Sequence, residues 1–345
     1  MIRALLLLAA LGPSLAAQAW RPVPVGTHAE LRGLAVPRPG IVWIAGSGGT
    51  VKVTEDGGAT WRACAVPGGD ALDFRAVAAL DARRAWILSV GTGDLGRIYR
   101  TEDGGRSWTL QYRNAPGQGF LDALAFRDAR SGFALGDPIR GRFQLLRTED
   151  GGASWTPAPD PAFPAARPGE GAFAASNTCF RLGSEGEIWF VTGSADRTRA
   201  FHSRDDGRTW TATETPVPAG SASRGLFTLV PLGPDRALAL GGDHQQPGLD
   251  ALNGAATDDG GRTWRPAPAQ PAGYRSGAAT VPGVPGAVIA VGPTGTGLSL
   301  DEGRTWRTLD ALPLNAVACA DARTLWAVGP KGAVMQWDGA FPPAR

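Results

Sequence analysis

Thr54-Glu55-Asp56-Gly57-Gly58-Ala59-Thr60-Trp61 is the first of six copies of one octapeptide. The others run from Thr101 to Trp108, Thr148 to Trp155, Ser203 to Trp210, Thr257 to Trp264 and Ser299 to Trp306, and all fit Ser/Thr-x-Asp-x-Gly-x-Ser/Thr-Trp. Their aspartates, Asp56, Asp103, Asp150, Asp205, Asp259 and Asp301, are spaced by 47, 47, 55, 54 and 42 residues. Self-similarity at that period marks a solenoid, propeller or array in which each repeat is one supersecondary unit.

The sequence on either side of the first copy shows what the unit is. Leu31 to Val36 and Ile41 to Ala45 are short β-rich runs, and a Gly46-Ser47-Gly48-Gly49 turn leads into a third, Thr50 to Thr54. The octapeptide then turns the chain into a fourth, Thr60 to Cys64. Four such runs separated by glycine-rich turns predict an antiparallel meander, and one meander per 45 or so residues is a propeller blade. After the sixth copy, Leu314 to Cys319, Thr324 to Val328 and Ala333 to Trp337 supply three strands without a fourth. At the other end, Trp20-Arg21-Pro22-Val23-Pro24-Val25 matches the fourth strand of the first blade, Trp61 to Val66. The expected fold is therefore all-β, a seven-bladed β-propeller of four-stranded antiparallel blades over residues 20–340. The N-terminal strand closes the last blade and removes both frayed edges.

Residues 1–19 read as a secretory signal peptide. A basic start at Arg3, an apolar stretch from Ala4 to Leu11 and Ala17-Gln18-Ala19 predict cleavage after Ala19, and the stretch is too short to span a bilayer. Residues 341–345 form a short tail. The expected location is periplasmic or secreted. A net charge of +2 over 345 residues gives no reason to invoke nucleic acid or membrane insertion, and a monomer is expected. Cys64, Cys179 and Cys319 lack metal spacing and fall in separate blades, which predicts buried free thiols.

The six aspartates are read as turn locks: a carboxylate can accept backbone N–H groups there, a neighbouring hydroxyl can add another bond, and the glycine can take φ > 0. The tryptophan of each copy is expected between adjacent sheets. Dispersed round a ring, these aspartates cannot converge on one ligand, so no catalytic residue, metal site or cofactor is expected from them.

Candidate binding residues lie on the opposite face. Aligning the innermost strands places Arg32, Arg75, Asp122, Arg224, Arg275 and Asn315 at a recurring second position, with Ser176 in the fourth blade. Four arginines there would make a positive ring at the channel mouth, suited to carboxylate, phosphate or sulfate. Loops on that face add Asp94, Asp137, Asp196, Asp243 and His244, and long connections add Glu170 and Tyr274. Two readings stand: the face binds an acidic peptide or anionic small ligand, or the acids pair with the arginines and neutralise it.

The octapeptide is similar to the Asp-box of bacterial neuraminidase repeats, within the sialidase-like and WD40/YVTN-like propellers. Leu121 to Phe126, Ser131 to Gly136 and Thr148 to Gly152 resemble the photosystem II stability/assembly factor family. That resemblance implies an exported, non-enzymatic seven-bladed propeller that helps assemble a membrane complex and grips its partner through arginines, here Arg32, Arg75, Arg224 and Arg275. Resemblance to sialidases implies instead a glycoside hydrolase acting on an anionic sugar. Arg32, Arg224 and Arg275 would hold the sugar carboxylate, Tyr274 would be the nucleophile, and Glu170 or Asp243 would assist. Tyr274 and Arg275 are adjacent, however, and adjacent residues of a strand face opposite ways.

Overall fold

The computed structural model describes residues 20–115, 119–158 and 163–341, so the expected leader (1–19) and all of the tail except Phe341 lie outside the described residues. Seven four-stranded antiparallel sheets are present, six of them meanders of consecutive strands. Blade 1 comprises Leu31–Arg38, Ile41–Gly46, Val51–Thr54 and Arg62–Ala63, which we term strands A to D from the axis outward. Blade 7 takes Ala316–Asp321, Thr324–Val328 and Val334–Trp337 from the C-terminal end of the chain. Its fourth strand is Trp20–Pro22, antiparallel to the third with Trp20 opposite Trp337. The ring is thus closed by the first and last strands, as the unmatched ends of the sequence predict.

The octapeptide has one geometry throughout. In the first copy Thr54 Oγ1 donates to Asp56 Oδ1 (2.7 Å) and accepts from the Gly58 amide (2.9 Å). The Asp56 carboxylate then accepts the amide (2.9 Å) and the hydroxyl (2.6 Å) of Thr60. Those two Thr60 bonds hold the Asp56 carboxyl down at about 2. Gly58 sits at φ 89°, and a Cβ there would lie 2.6 Å from Trp326 Cη2 of the preceding blade. Glycine is therefore demanded by conformation and by space at once.

Tryptophans stitch neighbouring sheets together. Trp61 meets Trp326 edge to face at 6.0 Å, Trp108 meets Trp43 at 6.1 Å, and Trp264 meets Trp189 at 6.3 Å. Strand B is buried along its whole length in blades 1 and 2, as expected of the middle layer of a blade covered on both faces.

Candidate functional site

Strand A of each blade enters from the face opposite the aspartate turns, here called the upper face. A one-residue bulge marks its start in four blades, at Arg32, Arg75, Asp122 and Phe227. The residue entering strand A is fixed by a bond between blades: the amides of Leu31, Leu226, Arg275 and Leu314 donate to the carbonyls of Gly329, Thr192, Gly241 and Gly292 of the preceding blade. Arg275 is thus equivalent to Leu31 and Leu314, and Ser276 follows it at the axial position.

That register corrects the expected ring of four arginines. Arg32 and Arg75 are axial, but Phe227 holds the place assigned to Arg224, which stands three residues earlier with its Nε buried and unpartnered. Arg275 is turned between the sheets and is fully buried. Its Nη1 donates to Thr294 Oγ1 (2.9 Å) and to the Gly295 carbonyl (3.0 Å), and burial pushes its pKa down to about 10. In blade 4 strand A is Phe180–Leu182, which makes Thr178 rather than Ser176 the axial equivalent.

Ser176 belongs to a feature with no signal in the repeat pattern: the long connection from blade 3 enters the channel and plugs it. Ala172 donates its amide to Asp137 Oδ1 (3.0 Å), and the Ala174 amide bonds Asp122. The Ala175 carbonyl accepts from Arg32 Nη1 of blade 1 (3.1 Å), and Ser176 Oγ donates to the Ser276 carbonyl of blade 6 (2.6 Å). Asn177 bonds both the amide and the carbonyl of Leu124 in blade 3 (2.8 and 2.9 Å), and Thr178 bonds Thr228 of blade 5 (2.7 Å). A segment that touches blades 1, 3, 5 and 6 in seven residues crosses the axis, and it leaves a vestibule on each face.

The upper vestibule has a volume of about 250 Å³. Its floor is Phe173, stacked on Phe227 at 3.8 Å between ring centres, with Tyr274 (4.6 Å) and His244 (6.1 Å) edge-on to Phe227. Its polar wall is Arg32, Arg75 and Asn315. Arg32 meets Glu30 at 3.1 Å, and Arg75 meets Asp73 through Nε at 2.7 Å. Glu30 also accepts from Asn315 Nδ2 (2.7 Å). Burial raises the Tyr274 hydroxyl well above the usual phenol range, against the opposing charge of Arg32.

Other candidates are committed elsewhere. Glu170 is buried and bound bidentately by Arg199, so it cannot back Tyr274 as a nucleophile pair. Asp94 pairs with Arg97, Asp196 with Arg167, and Asp243 accepts the Gln245 amide (2.9 Å). Neutralisation of the arginines comes instead from Glu30 and Asp73, two residues before each arginine. Alternation along a strand puts i and i+2 on one side, a signal open to inspection in the sequence. Cys64 and Cys179 are buried free thiols as expected, and Cys319 is half-buried. Among the described residues, no three His, Cys, Asp or Glu side chains group as metal ligands.

Asp122 and Asp137 anchor the plug at a cost. Burial, then the charge of Asp137, raises the fully buried Asp122 well above the carboxylate range, and burial pushes Asp137 up to about 6. Between pH 3.8, the value of a free aspartate, and about 6, the folded protein binds a proton that the unfolded chain does not. Stability therefore rises as pH falls through that window, on the order of 1–3 kcal/mol, and the contribution is lost above it. The aspartate turns oppose this only below pH 3.8, since their carboxyls are held low. Asp137→Asn is expected to stabilise the protein at pH 7 and flatten the slope of denaturant midpoints between pH 4 and 7. An unchanged slope would refute the assignment.

No protein-family model and no curated protein matches the sequence. Among solved structures, YCF48 bound to D1 peptide superposes with a TM-score of 0.68 and 18% identity, over 96% of this chain and 99% of that one. YCF48 from Cyanidioschyzon merolae gives 0.64 and 15%, over 92% and 98%. The Niastella koreensis GH74 enzyme gives 0.63 and 14%, over 95% of this chain but 55% of the enzyme. At these identities the likeness is one of fold.

Proposed function

We propose that this protein is an exported binding scaffold, without catalytic chemistry of its own, whose upper vestibule seats one or two residues of an acidic peptide or protein segment. The observation that carries this reading is the meeting of two arginines with an aromatic floor in a closed, shallow recess. Arg75 engages Asp73 through Nε, so its paired Nη groups are available for a ligand carboxylate. Phe173, half-buried over the buried Phe227 and Tyr274, offers apolar surface to a neighbouring side chain. The fold likeness to YCF48, solved with D1 peptide, supports a peptide as the ligand class. Export rests on the leader-like residues 1–19. A glycosidase would need Tyr274 backed by a carboxylate or two carboxyls across a cleft, such as Asp94 with Asp243; Glu170 is held by Arg199, Asp94 pairs with Arg97, and Asp243 accepts the Gln245 amide.

The test is fluorescence anisotropy of a labelled acidic peptide carrying one aromatic residue. Arg32→Glu combined with Arg75→Glu is expected to weaken binding at least tenfold, about 1.4 kcal/mol, in a protein that melts at a lower temperature but still cooperatively, since both arginines also pair with neighbouring acids. Raised salt is expected to weaken wild-type binding in the same direction. Equal affinity of the folded double variant would end the reading.

A further inference from the structure

The plug leaves a second vestibule on the face that carries the aspartate turns, with a volume of about 420 Å³. Its roof is Ser176, Asn177 and Thr178, and its walls are the outgoing ends of the A strands, apolar at Leu34, Val77, Val230, Ala279 and Val317. One side chain breaks this pattern. Opposite the buried B-strand residues Trp43, Trp86, Phe133, Leu238, Ile289 and Trp326 stand Ala35, Ala78, Ala125, Val230, Ala279 and Ala318. In blade 4 the residue opposite Trp189 is Arg181.

The Arg181 side chain reaches across the channel. Its Nε donates to the Leu229 carbonyl of blade 5 (3.1 Å) and its Nη2 to the Ala278 carbonyl of blade 6 (2.8 Å). Carbonyls orient a guanidinium but do not neutralise it. Among the described residues no carboxylate acts on it; the ionisable groups that do are the thiols of Cys179 and Cys319, and burial pulls its pKa down to about 10. A half-buried cation without a counter-ion is costly, and such groups are ordinarily paired. Here the repeat offers alanine or valine at every equivalent position, so the fold itself does not require the charge.

We infer that the lower vestibule is a binding site for a small aliphatic carboxylate, with Arg181 holding the carboxylate and the apolar A-strand ends enclosing the chain. The volume falls in the range of small-molecule pockets, which combine mostly apolar walls with a few placed polar groups. Thr178, Asn177 and Thr280 add hydrogen-bonding groups at the same cavity. The site lies across the plug from the upper vestibule and does not depend on the peptide reading.

Cys319 lines this cavity and is half-buried, whereas Cys64 and Cys179 are buried; burial also raises the Cys319 thiol well above its usual range, so its slow native-state alkylation by excess small reagent at alkaline pH reports on the cavity's occupancy. Octanoate is the probe, with octanol and octylamine as uncharged and cationic counterparts. Octanoate is expected to slow alkylation of Cys319 saturably, on the order of tenfold, while octanol and octylamine protect far less. Arg181→Met, which keeps the side-chain length without the charge, is expected to lose the preference for octanoate over octanol. Equal protection by octanol and octanoate in the wild type would overturn the inference without recourse to any variant. So would undiminished octanoate protection in Arg181→Met, or no protection by octanoate at all.

Discussion

A chain that begins at Gly26 instead of Trp20 is expected to lose its cooperative fold, or to melt far below the chain that begins at Trp20. The six deleted residues include the outer strand of blade 7, Trp20–Pro22, which closes the ring by pairing with Val334–Trp337. Trp20 is buried, packs edge to face on Trp337 at 5.2 Å, and donates from Nε1 to Thr296 Oγ1 of blade 6 (2.9 Å). Val23 donates its amide to the Val334 carbonyl (2.8 Å), and with Val25 it is buried in the cluster of Trp326, Val42 and Ile44. Truncating a buried tryptophan alone costs about 3–5 kcal/mol, and the whole domain holds only about 5–15 kcal/mol. Trp20→Ala should therefore lower the denaturant midpoint markedly while leaving a folded ring. If the shortened chain melted cooperatively within a few degrees of the longer one, closure by this strand would not be what holds the ring.

Arg199→Ala is expected to cost about 3–5 kcal/mol, because it strands a buried carboxylate. The Glu170 side chain has 0% exposure and Arg199 9%. Around them Thr192 Oγ1 donates to Glu170 at 2.7 Å, the Arg167 amide donates at 2.9 Å, and the guanidinium lies 4.6 Å from the Phe201 ring centre. Together these fix the connection that goes on to form the plug. Changing both partners to apolar residues, Arg199→Met with Glu170→Leu, should recover most of the loss, since the penalty comes from the unpaired charge. The same experiment separates structure from chemistry. A glutamate that assisted a nucleophile would be removable with little loss of stability, whereas here chemical denaturation should register the change. A loss below about 1 kcal/mol would show that the pair is not the anchor described.

The blades, their order and the closing strand were legible because each rests on a local signal repeated many times: alternating burial, glycine-rich turns and one octapeptide. The site was legible only in part. Arg32 and Arg75 sit where alignment of the A strands puts them, but Arg224 and Arg275 do not. A spacing rule separates the two groups. Fifteen residues divide Leu31 from Gly46, Phe74 from Ser89, Leu121 from Gly136, Leu226 from Gly241 and Leu314 from Gly329. Counting back from Gly241 reaches Leu226 and removes Arg224 from the ring. Blade 6 breaks the rule through its longer Pro282-to-Pro285 turn, which carries Arg275 out of register and between the sheets. The plug had no comparable signal. Residues 172–178 have no counterpart in the other blades, and their bonds run to carbonyls and amides of distant strands, which side-chain patterning does not reveal. Arg181 escaped notice because its neighbours Phe180 and Leu182 read as an ordinary strand.

In the proposed scaffold, the plugged channel presents the binding surface on the upper face, around Arg32, Arg75 and Phe173. Amide hydrogen exchange of the protein with and without the acidic peptide tests this placement most directly. Added peptide should slow exchange at residues 30–33, 73–76 and 172–175 and in the loop at His244, and should leave the aspartate turns unchanged. Protection confined to the aspartate-turn face or to the outer strands of the blades would contradict it.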